Sequence, residues 1–466
     1  MFRTVEMPLW ALILLLLFAG VTFASHFLFP SVRWFFRRRM ERAVARLNER
    51  LERPIQPFKL ARRHDTIQRL IYDPAVAKAI AEHARAEGVP EEVAFQQARR
   101  YAREIVPGFS ATAYFGIAIR AARWLSNRLY RVRLVDRRTE SIDPDATVIF
   151  VMNHRSNMDY VLVTYLAANS SALSYAVGEW ARVWPLQGLI RAMGGYFIRR
   201  RSLTPLYRRV LERYVQIATK GRMTQAIFPE GRLSLTGGVG PAKLGLMNYI
   251  LSDFDAESGP DVVFVPVALN YDRVLEDRVL MEAGASGGRR FRLRVMPMLG
   301  FLLRQLRFRL AGRFHGFGYA GVSFAQPLSL RQFGAIAPER GAQDLAVELM
   351  GRIRAVMPVL PVPMVAHVMQ AARGPLREAV IDARVCALGT ALREQGACVH
   401  APLDNLSDAA RAGLKQLVAR RFLITRGDEY TVAPGAREMV AFYAASIAHL
   451  VDASAAFVEP DGSGAT

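Results

Sequence analysis

The chain has 466 residues, 52% of them apolar and 10% aromatic, enough for two domains or for one large domain with extensions. Two cysteines, Cys386 and Cys398, exclude a disulfide framework and fit a reducing compartment. The net charge of +21 comes with no helix-turn-helix, zinc-ligand spacing or aromatic RNA-binding motif, so an anionic bilayer is the better partner and nucleic acid is not expected.

From Met7 to Val32 there is no Asp, Glu, Lys or Arg. The run Leu9–Phe29 has about the ~20 residues a helix needs to cross a bilayer. Arg33, Arg37, Arg38, Arg39, Arg42 and Arg46 follow it, which places the C-terminal side in the cytoplasm. A cleaved signal peptide is the competing reading, but its apolar stretch is normally shorter and its charge precedes that stretch. Residues 1–33 are therefore expected to be a single-pass anchor in the cytoplasmic (inner) membrane.

A charged helix is expected at 40–53, and 55–135 reads as helical throughout within a membrane-proximal region at 34–135. Asp73–Pro74 signals a helix start and Gly88-Val89-Pro90 a break. Phe109–Tyr130 mixes aromatic and aliphatic residues with Arg120, Arg123 and Arg128. That pattern suits a helix lying among lipid headgroups or one packed on the catalytic domain.

The pattern then changes. Thr147–Met152, Gln225–Phe228 and Val262–Leu269 are short apolar runs of the kind that form strands buried on both faces. Helical stretches lie between them, notably Leu206–Thr219. The expected fold class is α/β, a mixed or mostly parallel sheet covered by helices, over residues 136–360. A further strand-like stretch falls near Phe291–Met298. Residues 361–454 read as a small, mostly helical domain with a hairpin between Phe422–Thr425 and Tyr430–Val432, then a helix over 436–451. Residues 455–466 are expected to be a disordered tail.

Four blocks carry chemistry. Asn153-His154-Arg155-Ser156-Asn157-Met158-Asp159 follows the first strand directly. On a regular helix His154 and Asp159 would lie about 140° apart, so they meet only with His154 on the turn and Asp159 in the first helical turn. The carboxylate would then fix one imidazole nitrogen while the other removes a proton from a hydroxyl. Alone, His-x4-Asp is a pattern that chance produces often. Gly194-Gly195-Tyr196-Phe197-Ile198-Arg199-Arg200-Arg201 offers guanidinium groups for phosphate oxygens, or a basic turn against lipid. Phe228-Pro229-Glu230-Gly231-Arg232 leaves backbone amides free at a strand end, with Glu230 placed to bond an acceptor hydroxyl or to brace the loop. In Val265–Asp272, the ring of Pro266 is expected to shape a wall of the site. No His/Cys/Asp cluster has metal-ligand spacing, so no metal is expected.

In this order the four blocks resemble the glycerolipid acyltransferases, most closely the bacterial membrane-bound glycerol-3-phosphate acyltransferases, over roughly residues 60–330. The resemblance implies transfer of a fatty acyl group from acyl-CoA or acyl-carrier protein to the 1-hydroxyl of sn-glycerol 3-phosphate, the first step of phospholipid synthesis, with no cofactor beyond the thioester. It implies His154 and Asp159 as the catalytic pair. Arg155, Ser156, Arg199, Arg200, Glu230, Gly231, Arg232 and Pro266 would be the substrate-binding set. One departure bears on the acceptor: Leu233 and Leu235 stand where that group has arginines, which keeps 1-acylglycerol 3-phosphate as the alternative. A non-catalytic lipid-binding scaffold is the reading from another class.

Overall fold

Thr147–Met152 becomes the middle strand of an eight-stranded sheet in the computed structural model of the chain. The structure describes residues 8–10, 12–16, 49, 63–135, 142–166, 173–178, 182, 186–199, 203–285, 316–336 and 341–455. Most of the Leu9–Phe29 run, the helix expected at 40–53, the strand-like stretch at 291–298, Arg200 and the tail at 456–466 lie outside these residues. In the N-terminal unit, Met1–Ile55 with 169–171, residues 12–16 are helical and their leucines exposed. Among the described residues no helix is long and apolar enough to cross a membrane.

The larger unit begins with α1 (Arg63–Ile71), α2 (Pro74–Glu87) and α3 (Glu91–Ile105). A π-helical segment, Thr112–Ala118, runs into α4 (Ile119–Leu129). The α/β portion continues with β1 (Arg131–Val135), β2 (Thr147–Met152), α5 (Met158–Leu166), β3 (Ser174–Gly178), α6 (Leu186–Ala192) and β4 (Tyr196–Ile198). It goes on through α7 (Pro205–Lys220), β5 (Gln225–Ile227), α8 (Gly245–Leu251), β6 (Val262–Tyr271) and α9 (Asp277–Ala285). Then come β7 (Tyr319–Phe324), β8 (Leu328–Ser329), α10 (Leu330–Ile336) and α11 (Ala342–Ala355). The C-terminal region holds α12 (Pro361–Ala371), β9 (Leu376–Arg377), α13 (Glu378–Glu394), α14 (Leu406–Ala419), the hairpin β10 (Leu423–Arg426) and β11 (Glu429–Val432), α15 (Arg437–Ala444) and α16 (Ala448–Ala455).

Strand order is β1-β7-β6-β2-β5-β3-β4, with β8 beside β6. The run from β6 to β4 is parallel, and β7 and β8 lie antiparallel to β6. The α/β class with a mostly parallel, helix-covered sheet is therefore the observed one. The start of α2 follows the expected signals: the Asp73 carboxylate accepts from the Ala75 amide at 3.0 Å, and left-handed Gly88 ends the helix. Arg131–Val135 does not continue the helical region as expected. It pairs in parallel with β7, whose first residue, Tyr319, is 188 positions from Arg131, a partner that no local pattern reveals. The final helix is likewise two, α15 and α16, separated by a turn.

Side chains alternate along β2. Val148, Phe150 and Met152 enter one apolar cluster, while Ile149 and Val151 enter another. The first is shared with α5 and with α12–α15, so the C-terminal helices pack on the sheet. The second is shared with α1–α3, α7 and α11. Asp272, just past β6, ties these parts together: its two oxygens accept from the Val362 and Tyr319 amides, each at 2.8 Å. Complete burial pushes its carboxyl up to about 7 despite those bonds.

Candidate active site

The turn from β2 into α5 assembles the first block. Asn153 extends the ladder with its side chain, Nδ2 donating to the Leu269 carbonyl at 2.9 Å and Oδ1 accepting from the Leu269 amide at 2.7 Å. Ser156 caps α5, its Oγ accepting from the Met158 amide at 3.1 Å. Asp159 reaches back to the Ser156 amide at 3.0 Å, in a first turn where the helix N-terminus favours a negative charge. The residue that closes the helix start is thus also the partner of His154.

Asp159 Oδ2 lies 2.9 Å from His154 Nδ1 and also accepts from the Arg155 amide at 2.8 Å. Oδ1 accepts from the Tyr271 hydroxyl at 2.7 Å. Both carboxylate oxygens therefore face donors, which assigns the imidazole proton to Nδ1 and leaves Nε2 as the basic nitrogen. His154 is 3% exposed and Asp159 fully buried. The imidazole stacks on Phe228, with ring centroids 4.2 Å apart, and meets Tyr160 edge-on at 5.4 Å. His154 also forms part of the wall of a cavity of about 270 Å³.

That cavity has two chemistries. Leu203, Leu211, Ile227, Leu246 and Met247 make an apolar lining, whereas Arg199, Arg208 and Lys243 bring cations to its wall. Arg199 forks onto the buried carboxylate of Glu104, Nε to Oε1 at 2.9 Å and Nη2 to Oε2 at 2.7 Å, between the rings of Tyr101 and Tyr207. Arg182 reaches the same carboxylate at 2.8 Å. One carboxylate shared by two guanidinium groups leaves the place net positive.

The rest of the expected substrate-binding set is placed differently. Glu230 braces two loops, Oε1 accepting from the His154 amide and Oε2 from the Gly240 amide, both at 2.9 Å. Burial pushes its carboxyl upward, and those two amides with the nearby Arg155 guanidinium oppose the shift. Gly231 has φ +66° and lines the cavity, but its amide donates to the Phe228 carbonyl at 2.9 Å and is not free for an oxyanion. Ser156 and Arg155 are buried and do not line the cavity, and Arg232 is exposed away from it. Pro266 sits inside β6 and forms no part of the cavity wall. It falls where β6 passes from β8 to β7, a place where a missing N–H is tolerated. Leu233, in an expected arginine position, is 7% exposed and belongs to the apolar cluster.

Two supporting residues escaped the sequence reading. Tyr271 has its hydroxyl pushed well above the usual range by burial and by Asp159, so it stays a donor to that carboxylate. Glu276 accepts from the Ser156 hydroxyl at 2.8 Å and the Asn157 amide at 3.1 Å. Both lie in or just past the fourth block, and only the wording NYDRVLE, a tyrosine and an acid after a strand, could have suggested them. Among the described residues no cluster of His, Cys, Asp or Glu could hold a metal.

Residues 133–270 match the model of the Acyltransferase family, and residues 306–459 match the Glycerol-3-phosphate acyltransferase C-terminal region. A glycerol-3-phosphate acyltransferase of Pseudomonas putida (strain W619) is 30% identical over 283 residues, covering 59% of this chain and 32% of that one. Another, from Pseudomonas entomophila (strain L48), is 30% identical over 305 residues, covering 63% and 35%. The chain thus spans about a third of the length of the curated relatives it matches. Among solved structures, the 1-acyl-sn-glycerophosphate acyltransferase of Thermotoga maritima aligns with 50% of this chain and 78% of its own, at 19% identity and a TM-score of 0.29.

Proposed function

We propose that this chain, which belongs to the glycerolipid acyltransferase family, transfers a fatty acyl group from a thioester donor, acyl-CoA or acyl-carrier protein, to the 1-hydroxyl of sn-glycerol 3-phosphate. The observation that carries the reading is the His154–Asp159 pair in the wall of a cavity that is apolar inside and cationic at one side. His154 Nε2 takes the hydroxyl proton as the oxygen attacks the thioester carbonyl. Asp159 supports the imidazolium through Nδ1–H. When the tetrahedral intermediate collapses, the C–S bond breaks and the imidazolium returns its proton to the leaving thiolate. The apolar lining suits the acyl chain, and the cations at Arg199, Arg208 and Lys243 suit the acceptor phosphate. Arg155, Ser156 and Glu230 support the catalytic turn in this reading and do not touch substrate.

The second acceptor, 1-acylglycerol 3-phosphate, is kept by one observation: Leu233 and Leu235 stand where arginines were expected, and both pack with the apolar core and bring no cation to the phosphate. Purified full chain is expected to form acylated product from labelled acyl-CoA and glycerol 3-phosphate. Product from the lysolipid alone would overturn the choice of acceptor, and no product from either would overturn acyl transfer.

Attachment to the cytoplasmic membrane through residues 1–33, with the catalytic unit on the cytoplasmic side, belongs to the same proposal, supported by the apolar run and the arginines after it. On α4 the buried positions are Ile119, Ala122, Ser126 and Leu129. The opposite face presents Trp124, 63% exposed, with Arg120, Arg123 and Arg128, and Ile117 just before the helix is 65% exposed. An exposed tryptophan among arginines suits an anionic lipid surface. A nitroxide at position 124, in a Cys386→Ser/Cys398→Ser background, is expected to gain contact with oxygen dissolved in lipid when phosphatidylglycerol vesicles are added. A label that stays in water would remove this face from the reading.

A further inference from the structure

Arg155 follows the catalytic histidine, is 1% exposed, and does not line the cavity. Among the described residues none of its three side-chain nitrogens has a hydrogen-bond partner. A buried guanidinium left this way is costly unless something else holds its charge. What holds it comes from the C-terminal region: the guanidinium carbon lies 5.1 Å from the centre of the Phe442 ring on α15.

We propose that Arg155 is a positioning residue, and that its seat on the Phe442 ring makes α15 a working part of the catalytic site. The backbone of Arg155 supplies one of the amides that hold Asp159 Oδ2. Fixing its side chain therefore fixes the turn on which the His154–Asp159 geometry depends. The buried cation also faces the carboxylates of Asp159 and Glu230 and the hydroxyls of Tyr271 and Tyr443. It sets a positive charge beside the two carboxylates that hold the His154 turn through their hydrogen bonds.

Phe442 and its neighbour touch the other catalytic loops as well. Gly237, in the loop after Glu230, has φ +88°, and a Cβ there would come within 1.8 Å of the Phe442 carbonyl oxygen, so only glycine fits. Tyr443 accepts from the Val274 amide at 3.1 Å and donates to Asp277 Oδ2 at 2.5 Å, just beyond β6. One helix thus braces the segments after β2, β5 and β6, each of which carries part of the site. This gives the C-terminal region a task in turnover and not only in the apolar core.

The inference rests on the acyl-transfer reading and is tested on a wild-type chain already shown to turn over. Phe442 is replaced in the full chain by mono-, di- and trifluorinated phenylalanine, which keeps the ring's shape while removing its negative face in steps. The expected result is a stepwise fall in kcat, reaching about tenfold at the trifluoro ring, with acceptor KM unchanged and the melting temperature moved little. A merely structural ring would not follow this electronic series. A flat kcat series would overturn the inference, as would a KM that rises while kcat holds, since Arg155 would then be touching substrate. Absence of wild-type turnover with either acceptor would instead overturn the acyl-transfer reading.

Discussion

His154→Ala is expected to lower kcat by about 10³-fold while leaving a folded chain, because it removes the proton acceptor and little else. The ring is stacked on Phe228, yet the backbone of the turn is held independently: the His154 amide by Glu230, and its carbonyl by the Ser234 amide at 2.8 Å. Asp159 loses one donor and keeps the Arg155 and Ser156 amides and the Tyr271 hydroxyl. The stability cost should therefore stay near that of one buried hydrogen bond, about 1–3 kcal/mol. Initial rates with acyl-CoA, set beside a thermal melt of the same preparation, check both halves. A folded His154→Ala chain with more than a tenth of wild-type activity would remove the general base from the mechanism.

How much of this was legible in the sequence depended on the range of the interaction. β2 was readable to the residue because a strand buried on both faces leaves a continuous apolar run, Thr147–Met152. The pairing of His154 with Asp159 was readable because the helix period forbids it on a helix and a strand-to-helix turn permits it. Two local bonds hold that turn, the Ser156 amide to Asp159 and the Met158 amide to the Ser156 hydroxyl. What was not legible came from far along the chain. Tyr271 reaches Asp159 across 112 positions, Glu104 claims Arg199 across 95, and Phe442 lies under Arg155. Residue chemistry alone also leaves binding and bracing undivided. Glu230 and Gly231 have the right groups for binding substrate, but backbone amides and carbonyls of the loops consume them. Leu233 looked like a missing cation and is a core residue.

That distinction between the pair and its supports sets the second large effect, Asp159→Asn. The substitution keeps the size of the side chain, and an oriented amide keeps most of its bonds. Its oxygen still accepts from the Arg155 and Ser156 amides, and its nitrogen faces the Tyr271 hydroxyl, which can turn to accept. Helix capping survives, and losing the charge at the start of α5 costs about 0.3–1 kcal/mol. What disappears is the negative charge 2.9 Å from Nδ1, the only part of the arrangement that matters more once the imidazole has taken a proton. The penalty therefore falls on the transition state: kcat is expected to drop about 10³-fold, with KM for donor and acceptor within a few-fold of wild type. Tyr271→Phe leaves the charge in place and strips one donor from Oδ1, so it should lose less activity and more stability than Asp159→Asn. Kinetics and melts of the two variants side by side make the comparison. If Tyr271→Phe were the slower enzyme, the carboxylate would be acting mainly as a brace, and its charge would not be what Asp159 contributes to proton transfer.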